Sequence, residues 1–180
     1  MELPKFKYSP NAYKIGVFEN EEGTCSVCGE KRNVKYTSSF YSTEDPEYIC
    51  PFCIANGKAA EKYEGEFNDY AGIEGVSPDP NASKPAISKE LLLEVSERTP
   101  SYNSWQQEVW LSHCNEPCAF IGYADGETIK PFIDELEDDI ENNGYDKDEV
   151  LEFLSKNSSM VGYLFQCLHC GKHRLHIDCD

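Results

Sequence analysis

Cys25-Ser26-Val27-Cys28-Gly29 and, twenty-one residues later, Cys50-Pro51-Phe52-Cys53 have the spacing of a tetrahedral thiolate set. An i, i+3 pair lets two sulfurs on one tight turn approach a single ion, and a second pair completes the tetrahedron at Zn–S distances of about 2.3 Å. Gly29 strengthens the reading. A glycine directly after the pair tolerates the positive φ with which such a knuckle exits. Cys167-Leu168-His169-Cys170-Gly171 repeats the pattern near the C-terminus.

The chain has 180 residues, enough for one domain or two small ones with a core that needs no covalent staples. Its hydrophobic fraction is low, at 39%, but eleven Tyr, nine Phe and two Trp supply bulky core material. No stretch approaches the length of a membrane span. Met1 opens into Glu2, Pro4, Lys5 and Lys7 without an apolar stretch, so a cytoplasmic setting is expected. In a reducing compartment clustered cysteines are metal ligands or redox thiols, and nine of them cannot pair completely as disulfides.

Thirty-three acidic residues against sixteen basic ones give a formal charge of −17. A field of that sign repels phosphate backbones, and the densest cationic stretches, Lys31-Arg32 and Lys172-His173-Arg174, are too short to form a basic stripe. Nucleic-acid binding is excluded on these grounds. A basic protein is the partner class that the charge suits.

The pattern along the chain predicts an α+β fold in which zinc-ribbon-like modules are packed with short helices. Residues 1–16 are aromatic and extended, and residues 31–49 suit a β-hairpin that joins two knuckles. Residues 77–87 carry three prolines and predict a connection between an N-terminal zinc-ribbon module (1–76) and a C-terminal α+β module (88–180). Ser88 caps a helix with Leu91, Leu92 and Val95 on one face, which stops at Thr99-Pro100. Residues 119–124 form a strand. Ile129, Phe132, Ile133, Leu136 and Ile140 recur at helical spacing, with a solvated carboxylate face opposite. Asp146-x-x-Glu149 is a capping box, and strands at 162–166 and 174–177 flank the last knuckle.

A second metal set is predicted from Cys114, Cys118, Cys167 and Cys170, since ligand spacings of two to four residues lie within the zinc repertoire. His113 and His173 compete for a place in it. His173, His176 and Cys179 follow Cys167 and Cys170 at every third position, a period that does not keep side chains on one face of a strand. Two zinc ions are therefore expected. An iron–sulfur cluster could use the same cysteines and would colour the protein. The chain lacks H-E-x-x-H, G-x-S-x-G and Walker motifs, so a binding module is favoured over an enzyme. The alternative is a zinc enzyme with an open metal position near His113 and Cys114.

The two N-terminal pairs, Arg98-Thr99-Pro100-Ser101-Tyr102 with Trp105-Gln106-Gln107-Glu108 and Trp110, and Cys167-Leu168-His169-Cys170-Gly171-Lys172 together resemble the CbrC family over nearly the whole chain. The resemblance implies a bacterial cytoplasmic setting and an association with colicin tolerance, which is a cellular phenotype and not a reaction. It also implies that all the cysteine pairs belong to one fold.

Overall fold

A computed structural model describes residues 2–76 and 87–179. The proline-rich connection expected at 77–87 lies outside the described residues apart from Ile87, which is buried. The first strands are two residues each: β1 (Phe18–Glu19), β2 (Gly23–Thr24), β3 (Lys31–Arg32) and β4 (Lys35–Tyr36). β1 pairs with β4 and β2 with β3, both antiparallel, so the first knuckle sits at the tip of the inner pair. Helices α1 (Pro51–Ala55) and α2 (Lys58–Tyr63) follow, and α3 (Lys89–Arg98) packs on both. Ser88 caps α3 as its sequence predicts, accepting from the Leu91 N–H, and Leu92 and Val95 are fully buried.

The C-terminal part is organised by a hairpin of β5 (Ser112–His113) and β6 (Glu116–Pro117) and by an antiparallel sheet in the order β7 (Ala119–Ala124), β8 (Met160–Gln166), β9 (His173–Cys179). One face of this sheet meets a large aromatic core. Tyr102, Trp110, Phe120, Tyr163 and Phe165 interlock there with ring centroids 4.4–6.0 Å apart. That core runs on through Tyr8, Val17, Tyr36, Ile54 and Phe67, and it includes Cys25, Cys50, Cys53 and Cys167. Residues 6–15 lie along it, and the Phe120 N–H donates to the Tyr8 carbonyl.

The other face packs on a smaller apolar cluster of Ile129, Leu136, Ile140, Val150, Leu154 and Leu175. Here one expectation is corrected. The helical spacing of residues 129–140 picks out the buried Ile129, Leu136 and Ile140 and the half-buried Phe132 and Ile133, but the backbone is three short pieces: α4 (Gly126–Ile129), a 3-10 turn (Lys130–Leu136) and α5 (Glu137–Asn142). Pro131 cannot donate an N–H to a helical ladder, and Phe132 leaves helical geometry at φ −131°. α6 (Lys147–Phe153) then starts on Asp146, which accepts from the Glu149 N–H.

α4 passes so close to α6 that a side chain on Gly126 has no room: its Cβ would lie 2.0 Å from the Leu151 carbonyl oxygen. Backbone cannot rotate away as a side chain can. Gly126→Ala is expected to destabilise the fold by about 3 kcal/mol or more, read as a lower urea midpoint at unchanged slope. A midpoint equal to that of the parent would mean that α4 and α6 are not held at this distance.

Candidate metal centres

The first C-x-x-C pair is built by its turn. The Cys25 N–H donates to the Glu30 carbonyl (2.9 Å) and the Gly29 N–H to the Cys25 carbonyl (2.8 Å), with Gly29 at φ 72°. The last pair closes the same way. Cys167 N–H donates to the Lys172 carbonyl (2.8 Å), Gly171 N–H donates to the Cys167 carbonyl (3.1 Å), and Gly171 has φ 76°. In each knuckle the N–H groups two and three residues on turn toward the first sulfur: those of Val27 and Cys28 toward Cys25, and those of His169 and Cys170 toward Cys167. Such donors stabilise a thiolate.

Cys50 and Cys53 are held differently. A hairpin leading to a second knuckle is expected for residues 31–49, yet β3 and β4 pair backwards with β2 and β1, and the second pair rides on the first turn of α1. Cys50 is the residue before that helix, and Pro51 occupies its first position, where no N–H is required. The outcome is a set of four. The sulfurs of Cys25, Cys28, Cys50 and Cys53 all lie within 4.8 Å of one another, with those of Cys25 and Cys53 3.9 Å apart. Four sulfurs about 2.3 Å from one zinc would be about 3.8 Å apart, whereas a disulfide requires about 2.05 Å.

The second set combines the hairpin and the knuckle. Cys114 and Asn115 both have positive φ, 54° and 58°, the conformation of a two-residue turn between antiparallel strands, and this holds Cys114 at the tip. His113 Nδ1 lies 3.2 Å from Cys114 Sγ and 3.4 Å from Cys170 Sγ, and those two sulfurs are 3.9 Å apart. With Cys167 they form a group within 4.8 Å. Cys118 is not in it. Its N–H pairs with the Leu111 carbonyl, two rungs below the hairpin tip, or about 7 Å along the strands, and its side chain is fully buried. His113 takes the place expected of Cys118. His173, His176 and Cys179 also stay outside: His173 bonds Glu135 and His176 pairs with Asp178.

The protonation states fit a cation at each centre. In the first set the hydrogen bond from Cys50 draws the Cys25 thiol down to about 4, while the same bond and burial push Cys50 up, and burial with the adjacent Cys25 charge raises Cys53 to about 12. In the second set burial opposes ionisation of Cys167, but the Cys170 and His169 N–H groups prevail and bring it to about 6. Cys114 rises to about 11 through desolvation and its neighbours Cys167 and Cys170. Cys25 thus ionises at the expense of Cys50 and Cys53, and Cys167 at the expense of Cys114. A divalent cation amid the four reverses that repulsion and lets every thiol deprotonate. The two sets differ in access: Cys25, Cys50 and Cys53 are buried, whereas Cys114 and Cys170 are exposed.

Two further features escaped the sequence reading. The Arg32 guanidinium stacks 4.8 Å over the Phe52 ring, inside the Cys50–Cys53 turn, and faces the Cys50 sulfur. Buried Glu116 on β6 accepts from the Tyr8 hydroxyl at 2.8 Å and also contacts Lys7 and His169. Of the aromatic residues near the hairpin, Tyr102 and Trp110 are core, and Trp105 is exposed.

A family model described as "Uncharacterised protein family (UPF0167)" matches residues 3–179. The chain belongs to that family. It is 35% identical over 184 aligned positions to UPF0167 protein Mb2317 of Mycobacterium bovis, covering 98% of this chain and 93% of the relative. UPF0167 protein PA1536 of Pseudomonas aeruginosa is also 35% identical, covering 99% of this chain and 97% of its own. No solved structure matches this UPF0167 chain. Its homologues are bacterial, and among the described residues no helix is long and apolar enough to cross a membrane.

Proposed function

We propose that this chain is a structural zinc protein, in which two zinc ions brace an α+β interaction module. Cys25, Cys28, Cys50 and Cys53 hold the first ion, and His113, Cys114, Cys167 and Cys170 hold the second. The observation that carries this reading is the convergence of two four-donor groups from segments as far apart as Cys114 and Cys170, each spaced for a tetrahedral ion. Four protein donors per ion make closed, structural sites. The ions supply cross-links to the fold, and the donor residues supply charge and orientation.

A cytoplasmic module with a basic protein partner is the setting that best suits the composition. Between residues 125 and 152 the chain carries twelve acidic residues and two basic ones, mostly on the exposed side of α4, α5 and α6. Resemblance to the CbrC family attaches a colicin-tolerance phenotype to this reading, and colicin challenge of a strain lacking the gene tests that link.

Elemental analysis of protein purified under reducing conditions is expected to give two zinc per chain and a colourless solution. A brown protein containing iron and labile sulfide would replace zinc by a cluster, and metal-free, folded protein would remove the proposal. The exposure of Cys114 and Cys170 favours one second reading, an enzyme centre in which a ligand yields to water. Cobalt-substituted protein separates the two: an absorption spectrum that shifts with added azide or imidazole marks an open position.

A further inference from the structure

The second ligand set is assembled from two pieces of chain that share no secondary structure. His113 and Cys114 come from the β5–β6 hairpin, and Cys167 and Cys170 from the knuckle between β8 and β9. β6 runs on into β7, whose Ala119 pairs with Gln166 of β8, so the sheet joins the bases of hairpin and knuckle, and a side-chain contact joins them nearer the ligands. His169, inside the knuckle, contributes no donor to the set; its Nε2 instead contacts the carboxylate of Glu116, one residue beyond the hairpin turn. That carboxylate is buried, and its other oxygen accepts from the Tyr8 hydroxyl at 2.8 Å and contacts the Lys7 ammonium. Glu116 thus joins three segments of the chain at one point beside the ligands.

We propose that His169 and Glu116 form a latch that positions the second metal set, with His169 a positioning residue acting through Glu116 on His113 and Cys114. The proposal rests on the reading that this set binds zinc. The imidazole N–H ties knuckle to hairpin before an ion arrives, so the four donors are pre-arranged and the ion is not charged with the ordering cost. Lys7 and Tyr8 keep the carboxylate fixed when His169 is altered.

The test uses the full chain stripped of metal under reducing conditions and titrated with cobalt(II) against a competing chelator. The visible bands of a site with three sulfurs and one imidazole differ from those of an all-sulfur site, so the two affinities are read in one sample. His169→Leu is expected to weaken cobalt binding at the imidazole-containing set about 10- to 100-fold and to leave the all-sulfur set unchanged. His169→Gln, which keeps an N–H donor for Glu116, is expected to restore most of the loss. Unchanged affinity of the imidazole-containing set in His169→Leu overturns the latch. So does a Gln variant no better than Leu, or an equal loss at both sets, which would report general unfolding. Parent protein that shows no spectrum of the mixed sulfur and imidazole kind overturns the metal reading itself, before any variant is made.

Discussion

Cys25→Ser is expected to lower zinc from two ions per chain to one and to unfold the N-terminal strands together with α1. Apparent zinc binding in small modules amounts to about 10–16 kcal/mol, while a whole domain is stable by about 5–15 kcal/mol. On the proposed assignment the ion is the largest single contribution in this region, because β1 to β4 are two residues each and cannot sustain a sheet alone. Cys25, Cys50 and Cys53 also form part of the main apolar core, so a failure there spreads to Tyr36 and Ile54. Hydrogen exchange reads the effect directly: amides of residues 23–36 and 50–55 should lose protection, while β8 and β9 keep theirs. Full protection with one ion missing would mean that the strands stand without the metal.

Arg174→Met is expected to cost about 3–5 kcal/mol, or roughly 10 °C in melting temperature for a chain of this size. The guanidinium bonds Asp139 at 2.9–3.0 Å and Glu74 at 3.0–3.1 Å, and it also contacts the Ser112 carbonyl, so β9, α5, β5 and the loop at Glu74 meet at one side chain. Asp139 is 6% exposed and would be left buried with only the Leu175 N–H as a donor. The unpaired charge sets the size of the loss. Arg174→Lys keeps the charge but not the fork that spans both carboxylates, and should fall between parent and Met. Adding Asp139→Leu to Arg174→Met should recover part of the loss. A single Met variant that melts within a degree or two of the parent would remove this cluster from the account of stability.

Much of the first centre was legible because its chemistry is local. A C-x-x-C-G stretch needs only a turn and a positive φ to aim two sulfurs, and both are written into five consecutive residues. The second centre was half legible for the opposite reason. Cys167 and Cys170 could be read from the same local rule, but the choice between Cys118 and His113 depends on the pairing register of a hairpin. Asn115 was the available signal: a turn at Cys114-Asn115 sets Cys118 opposite Leu111 and brings His113 to the tip. Residues 129–140 show the same division. Their spacing marks which side chains are buried, since any compact winding of the chain can satisfy it, but Pro131 settles that the backbone is not one helix. Glu116 and His169 were out of reach, because a contact between residues 53 apart leaves no local trace.

The different spans of the two ligand sets impose an order on their completion during synthesis. On the proposed assignment, every ligand of the first ion has been synthesised by Cys53. The second must wait for Cys170, when all but ten residues of this sequence exist. If both sets bind zinc as proposed, the early thiols of a growing chain can take up the ion while the later ones are still unmade. Loading on that assignment would begin at the N-terminal end.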